Sequence, residues 1–291
     1  MLPNPLRKPL IKTITEDHKL IIGLGCSFTQ GQGSYSIETQ EKYNWDISVH
    51  ADGEELRTES YENSWVNLLA RDYFTDYIPI NLGQAGGGNR QAAKSLHMFH
   101  NEKIQNAKDK IVIFMLTGME RFSYIQKNYS HDSQDYWFTC WPNDDVSKES
   151  PMNRVWTGYA HDVYSDDVAF METYLNIMEV VTWCKAHNAK LILTSAFTSD
   201  YINELFIPAL DFNPKFDFFY PKGRLSMFHY LLEKDGFDEN IQNGGYWEEL
   251  LFNDNYPKGS KHVSRCCHPN QEGHKVIAKI LADEIKRRNY V

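Results

Sequence analysis

Four short apolar segments constrain the fold of this chain more than any other feature of its sequence. They lie at 19–25, 77–82, 111–116 and 190–194, and each is rich in β-branched residues. Short apolar runs of this kind are typical of strands buried on both faces of a parallel sheet. Amphipathic helical periods separate them, so the sequence predicts an α/β fold with three α/β/α layers and a mostly parallel, flavodoxin-like sheet.

The predicted helices follow from apolar residues spaced three and four positions apart. These periods cover 65–73, 92–104, 170–184 and 276–285, and the last helix is expected to begin near Glu272 or Gly273. We expect one domain over 1–291.

Three long insertions interrupt this alternation, at about 34–63, 124–167 and 198–264. Long loops inside a compact domain usually serve as lids or binding surfaces. Their aromatic residues offer flat faces for sugar rings, or they form a satellite core beneath the loops, and the sequence leaves both interpretations open. The residues in question are Trp137, Trp141, Trp156, Tyr220 and Trp247.

Composition limits the kinds of partner that the protein binds and the cellular compartment in which it works. The net charge is −9 without any Lys/Arg-rich run, which predicts that nucleic acid is not a partner. No apolar run is long enough for a membrane span or a signal peptide, so we expect no membrane partner and a cytoplasmic or virion-associated protein. Five cysteines, an odd number, make a disulfide framework improbable and favour a reducing compartment.

Ser27 is the first candidate for a chemical role. It follows the first apolar segment within GCSFTQGQG at 25–33, a pattern of strand, tight turn and helix. Such a turn lifts a hydroxyl above the carboxyl edge of a sheet, where α/β proteins bind ligands. A serine at this place also caps helices, and the sequence alone does not decide between the two roles.

His268 is the candidate base for that serine. It precedes Pro269, which restricts the backbone to extended forms and keeps the histidine in a loop before the last helix. An imidazole titrates near neutral pH and is the usual base for a serine nucleophile.

Three blocks in this order resemble those of the SGNH/GDSL hydrolases: GCSF at 25–28, NLGQAG at 81–86 and HPN at 268–270. The resemblance spans most of the chain, apart from the insertions. It implies a flavodoxin-like fold and an enzyme that transfers an acyl group to water. Such an enzyme needs neither a metal nor an organic cofactor.

The resemblance also implies a role for each matching residue. Ser27 would be the nucleophile, His268 the general base, and the backbone N–H groups of Ser27 and Gly86 the oxyanion donors. From the residues themselves we predict Asn89 as a side-chain oxyanion donor, because it follows Gly86 by three positions at the start of a predicted helix. Asn is also a preferred N-cap, so a purely structural role stays open for it.

The chain departs from the family pattern in three places. Cys26 stands where the family has Asp, which leaves the nucleophile unchanged. Arg265 occupies the slot of the acidic residue that orients the histidine, so a Ser-His dyad is expected, with a backbone carbonyl or a carboxylate such as Asp254 as the orienting group. Met119 replaces an oxyanion-binding Asn and cannot donate a hydrogen bond.

A zinc site is the competing interpretation of the C-terminal cluster. Its spacing is poor, because adjacent cysteines seldom share a tetrahedral ion, and we predict no metal. The cluster comprises His262, Cys266, Cys267, His268 and His274.

The sequence supports two functions. The first is a serine esterase or O-deacetylase acting on a carbohydrate-linked ester. The alternative is a catalytically impaired binding or structural protein on the same fold, associated with phage particles.

Overall fold

The four apolar segments form the parallel sheet that the sequence predicts. In a computed structural model they are strands β1 (Lys19–Leu24), β2 (Ile78–Asn81), β3 (Asp109–Leu116) and β6 (Lys190–Ser195), in the order β2-β1-β3-β6. All three pairings are parallel. The structure describes residues 14–42, 54–98, 104–119, 121–125, 137–140, 157–197, 216–223, 226–236, 260–264 and 267–291.

The helices in these ranges follow the strands in the expected alternation. A π-helical turn at Leu69–Tyr73 extends α4, and a second one lies at Tyr159–Val163. Short 3-10 turns lie at Ile104–Asn106 and Pro221–Gly223. The α-helices are α1 (Ser27–Gln30), α2 (Ile37–Lys42), α3 (Glu54–Glu62), α4 (Trp65–Leu68), α5 (Asn89–Met98), α6 (Asp166–Ala186), α7 (Met227–Lys234) and α8 (Gln271–Arg287).

Alternate residues of the central strands bury against opposite helical layers. On β1, Leu20 and Ile22 pack with α5 and α6, whereas Ile21 packs with α4, α7 and α8. On β3, Val112 and Phe114 face the first layer and their neighbours face the second. Burying each such side chain contributes about 1.5–3 kcal/mol. The three-layer α/β/α prediction is confirmed.

The insertions contain more regular structure than the sequence predicts. Helices α2 and α3 lie in the first insertion, and α7 lies in the third. At the start of the second insertion, β4 (Phe122–Ile125) pairs antiparallel with β5 (Trp137–Cys140), which lies within it. The sequence EELRTESYE of α3 has almost no apolar stripe, so periodicity does not reveal this helix. Trp141, Trp156 and Trp247 lie outside the described residues.

Within the described ranges, no helix combines the length and the apolar character that crossing a membrane requires.

His274 connects helix α8 to helix α4. It is fully buried in α8, and its Nδ1 accepts a hydrogen bond of 3.3 Å from the backbone N–H of Trp65 at the start of α4. Burial lowers the pKa of His274 to about 3; the backbone carbonyl of Gln32 opposes this change, and the charge of His268 adds to it. His274 is therefore neutral at physiological pH and serves as a structural acceptor.

This lowered pKa predicts a specific acid sensitivity. Below pH 6.5 the unfolded chain protonates this histidine while the folded chain does not, so its stability contribution is complete above pH 6.5 and is lost as the pH falls toward 3. We expect the free energy of unfolding of the His274→Gln variant to depend on pH less steeply than that of the wild type, by about 1.4 kcal/mol per pH unit between pH 6 and 4.

Denaturant unfolding at several pH values measures both slopes. The control is Ser95→Ala, which removes a buried hydroxyl that does not titrate in this range and should keep the wild-type slope. An unchanged slope in His274→Gln would show that this group is not held neutral.

Candidate active site

Ser27 and His268 meet at the carboxyl edge of the sheet. The Oγ of Ser27 lies 2.7 Å from Nε2 of His268, and Ser27 is 3% exposed. In the tautomer with the proton on Nδ1, the hydroxyl donates to Nε2, the arrangement that a general base requires. The N-cap of α1 is Cys26, which makes no side-chain capping bond, so the Ser27 hydroxyl does not cap this helix.

The backbone of His268 is held on both sides. Ser264 donates from its backbone N–H and from its hydroxyl to the carbonyl of His268, at 2.8 and 2.9 Å. Pro269 forms an antiparallel bridge with Val263. Asn270 caps α8, accepting from the N–H of Gly273 at 3.0 Å. The imidazole therefore projects from a loop with little freedom to move.

A buried Asp235–His262 pair anchors this loop to the end of α7. The side chains are 3% and 5% exposed, and they meet through Oδ1 of Asp235 and Nδ1 of His262. Oδ2 of Asp235 also accepts from the backbone N–H of His262 at 3.0 Å. Burial by itself raises the pKa of Asp235, but the hydrogen bonds from His262 and Ser260 outweigh it and lower that pKa. The sequence does not reveal this pair, because its pattern indicates His262 only as a candidate metal ligand.

Gly33 allows the His268 loop to approach the nucleophile turn. Its φ of +88° lies in the left-handed region, and a Cβ there would stand 2.8 Å from Cβ of His268 and 2.9 Å from Oγ of Ser264. Any side chain at this position would push the imidazole away from Ser27.

The turn after β2 docks onto the same nucleophile turn through Asn81. Its Nδ2 donates to the carbonyl of Thr29 at 2.8 Å, and its Oδ1 accepts from the N–H of Gly83 at 3.0 Å. The N–H of Gln84 donates to the carbonyl of Gly25 at 3.2 Å. Asn81 thus fixes α1 against the glycine turn, a role that the sequence block NLG did not reveal.

Two backbone N–H groups are suited to bind an oxyanion. Gly86 has a φ of +70°, which favours glycine and turns its peptide relative to the strand. Among the residues that the structure describes, the N–H groups of Gly86 and Ser27 donate to no acceptor. Leaving such donors buried without a partner is costly unless they bind water or a ligand.

Asn89 does not occupy the place that the sequence predicts for it. Its Oδ1 accepts from the N–H of Thr117 at 2.9 Å, and its Nδ2 donates to the carbonyl of the same residue at 3.1 Å and faces the hydroxyl of Thr173 at 3.5 Å. The expected oxyanion donor is therefore engaged elsewhere. Asn89 is also the first residue of α5 and not its N-cap. Its side chain instead ties α5 to the segment after β3.

The remaining predicted positions divide into two groups. Met119 is buried in the core, in agreement with a residue that takes no part in hydrogen bonding. Arg265, Cys266 and Asp254 lie outside the described residues, so the group that orients His268 stays a prediction.

The three C-terminal histidines have separate partners rather than a shared metal site. His262 contacts Asp235, His268 contacts Ser27, and His274 accepts from Trp65. Within the described part of the chain, no three His, Cys, Asp or Glu side chains are placed to hold a metal ion.

A scan against protein-family models finds no match, and a search of curated proteins finds no relative. Solved structures do resemble the chain. A protein described as lipolytic and of the G-D-S-L family, from Desulfitobacterium hafniense DCB-2, is 15% identical over 91% of this chain and 99% of its own, with a TM-score of 0.42. A family two carbohydrate esterase from Clostridium thermocellum, in complex with cellohexaose, is 10% identical over 97% and 68%, with a TM-score of 0.45.

A protein described as an acylhydrolase, from Bacteroides fragilis NCTC 9343, is 14% identical over 95% of this chain and 92% of its own, with a TM-score of 0.35. At such low identities and TM-scores, the resemblance concerns the overall path of the backbone.

The close approach at Gly33 predicts the effect of a single methyl group. Gly33→Ala should lower kcat for p-nitrophenyl acetate by about 10- to 100-fold, because a displacement of the base by a fraction of an ångström disrupts proton transfer. The control is Gly158→Ala, whose new methyl group would meet nothing within 4 Å. Thermal unfolding of both variants separates a shifted imidazole from a failure to fold, and a folded Gly33→Ala protein with wild-type turnover would contradict the prediction.

Proposed function

We propose that the chain is a serine ester hydrolase with a Ser27–His268 dyad, and that it removes an acyl group, such as acetyl, from a carbohydrate. The observation that carries the proposal is the distance of 2.7 Å between Oγ of Ser27 and Nε2 of His268. Each residue is held by its own set of backbone contacts, so the pair is arranged before any substrate binds.

The reaction would proceed in two acyl-transfer steps. The Ser27 hydroxyl gives its proton to Nε2 of His268 as Oγ attacks the ester carbonyl carbon. The N–H groups of Ser27 and Gly86 bind the resulting oxyanion, and loss of one such donor costs about 3 kcal/mol in a protease. His268 then protonates the leaving alcohol. In the second step it takes a proton from water, which attacks the acyl carbon, and then gives that proton to Oγ of Ser27 as the bond between Oγ and the acyl carbon breaks and the acid leaves.

Aromatic rings border the imidazole on one side. The ring of Phe28 lies 5.4 Å from that of His268 and 5.5 Å from that of Phe197, measured between centroids. Phe228 packs edge-on against Phe28 at 6.1 Å. These apolar rings reduce the access of water to the proton-transfer step, which strengthens the electrostatic interactions within the site.

The carbohydrate part of the proposal rests on flat aromatic faces. The rings of Phe218 and Tyr220 stack at 5.8 Å with an angle of 19° between their planes. Phe218 pairs in parallel with Leu193 of β6, so the chain from Phe218 to Tyr220 runs toward the edge of the sheet that carries Ser27. Planar aromatic surfaces suit the apolar faces of sugar rings.

The direct test compares three variants on an aryl acetate. Ser27→Ala and His268→Ala should each reduce hydrolysis to the uncatalysed background, because each removes one partner of the proton transfer. The control is Ser95→Ala, which removes a buried hydroxyl on α5 that donates to the carbonyl of Ala92 at 2.6 Å. It should retain wild-type turnover.

Substrate class is tested by comparing acetate release from an acetylated oligosaccharide with that from triacetin. We expect the sugar ester to be hydrolysed with the higher kcat/KM. Equal values would remove the carbohydrate part of the proposal while leaving the esterase. A wild-type protein no more active than Ser27→Ala would favour the alternative of a binding or structural role.

A further inference from the structure

Helix α6 carries apolar residues on its outer face as well as on the face that packs against the sheet. Its inner residues Ile177 and Val180 are fully buried in the core. On the opposite side, Met171 and Leu175 are 52% and 56% exposed, and Val168 is 37% exposed. A helix that is apolar on all sides is usually buried on all sides. The outer face of α6 is therefore a candidate contact surface.

The outer residues of α6 follow the spacing of a coiled coil. Steps of three and four positions alternate along the helix, and this spacing keeps successive residues on the line at which two helices pack. We call this line the outer seam, and its members are Val168, Met171, Leu175, Met178, Thr182 and Lys185. A single apolar residue on a surface is ordinary, whereas a continuous line of them indicates an interaction site.

The outer seam keeps the same pattern when the chain direction is reversed. If a second copy of α6 lies antiparallel, Leu175 of each copy meets Met178 of the other, and Met171 meets Thr182. The hydroxyl of Thr182 donates to the carbonyl of Met178 at 2.7 Å, so its methyl group is left for packing. Val168 meets the aliphatic stem of Lys185 in the same register. One antiparallel arrangement therefore pairs every position of the seam.

The charges at the two ends of α6 fit this register. Asp167 lies in the first turn and Lys185 in the last turn, and both are exposed. Within the described residues, neither side chain forms a hydrogen bond or an ion pair. They are five full helical turns apart and so lie on the same side of the helix. An antiparallel copy therefore brings its Lys185 to Asp167 of the first at both ends of the seam, whereas a parallel copy would bring like charges together.

We propose that the protein forms a homodimer through the outer seams of two antiparallel α6 helices. Burial of the apolar side chains supplies most of the affinity, and the exposed Asp167–Lys185 pairs set the direction in which the helices run. The helix has 21 residues. At about 30 Å in length, one such pair buries less surface than a standard protein interface, so the dimer dissociates on dilution. The inference does not depend on ester hydrolysis at Ser27.

Sedimentation equilibrium between about 1 and 300 µM protein tests the dimer. The wild type should pass from monomer to dimer over this range. Leu175→Glu should raise the dissociation constant at least about 30-fold, because it buries an unpaired charge at the centre of the seam. The control is Ile37→Glu, which places the same charge at an apolar residue that is 63% exposed on α2 and should leave the dissociation constant unchanged.

Charge reversal tests the antiparallel register. Asp167→Lys and Lys185→Glu should each weaken self-association, because like charges then meet at both ends of the seam. An equimolar mixture of the two variants should associate as tightly as the wild type, since each end of the mixed dimer again pairs opposite charges. The control is Lys108→Glu, which makes the same change in net charge at an exposed position outside α6 and should associate like the wild type.

Three outcomes would overturn the proposal. A wild type that stays monomeric at every concentration would show that the seam does not bind a second copy. A dimer that Leu175→Glu leaves intact would show that the interface lies on another surface. A mixture that associates no more tightly than its two components would exclude the antiparallel register. Thermal unfolding checks that each variant is folded, and Met171→Glu takes the place of Leu175→Glu if the latter does not fold.

Discussion

The contact between Ser27 and His268 depends on docking the C-terminal loop onto the turn after β1, 241 positions away in sequence. Three packing features make this contact possible. Gly33 leaves room for the backbone of the loop, the buried Asp235–His262 pair fixes the loop against α7, and His274 ties α8 to α4. The candidate site is therefore a product of how α4, α7 and α8 pack on one face of the sheet rather than of one local motif.

The same arrangement explains how much of the protein the sequence predicts. The four central strands could be predicted because burial on both faces leaves short, continuous apolar runs. Ser27 and His268 could be identified as candidates because each stands beside a local signal, a glycine turn after a strand and a proline before a helix. Their roles in catalysis stay a proposal that the geometry supports.

The positions that the sequence did not predict share a physical cause. Asn89 bonds to Thr117, 28 positions away, and Asp235 pairs with His262, 27 positions away. Neither pairing leaves a periodic or motif signal, because each depends on how separate elements pack. The sequence does not show whether the side-chain amide of Asn89 faces a substrate or the backbone. Only the tertiary contact determines which of the two it binds.

The central claim is that Ser27 is a nucleophile activated by His268. It is tested most directly by treating the protein with a fluorophosphonate and locating the adduct by peptide mass spectrometry. The account predicts a single adduct on Ser27 in the wild type, formed far more slowly in His268→Gln. An adduct on another residue, or equal rates of labelling in the wild type and His268→Gln, would contradict it.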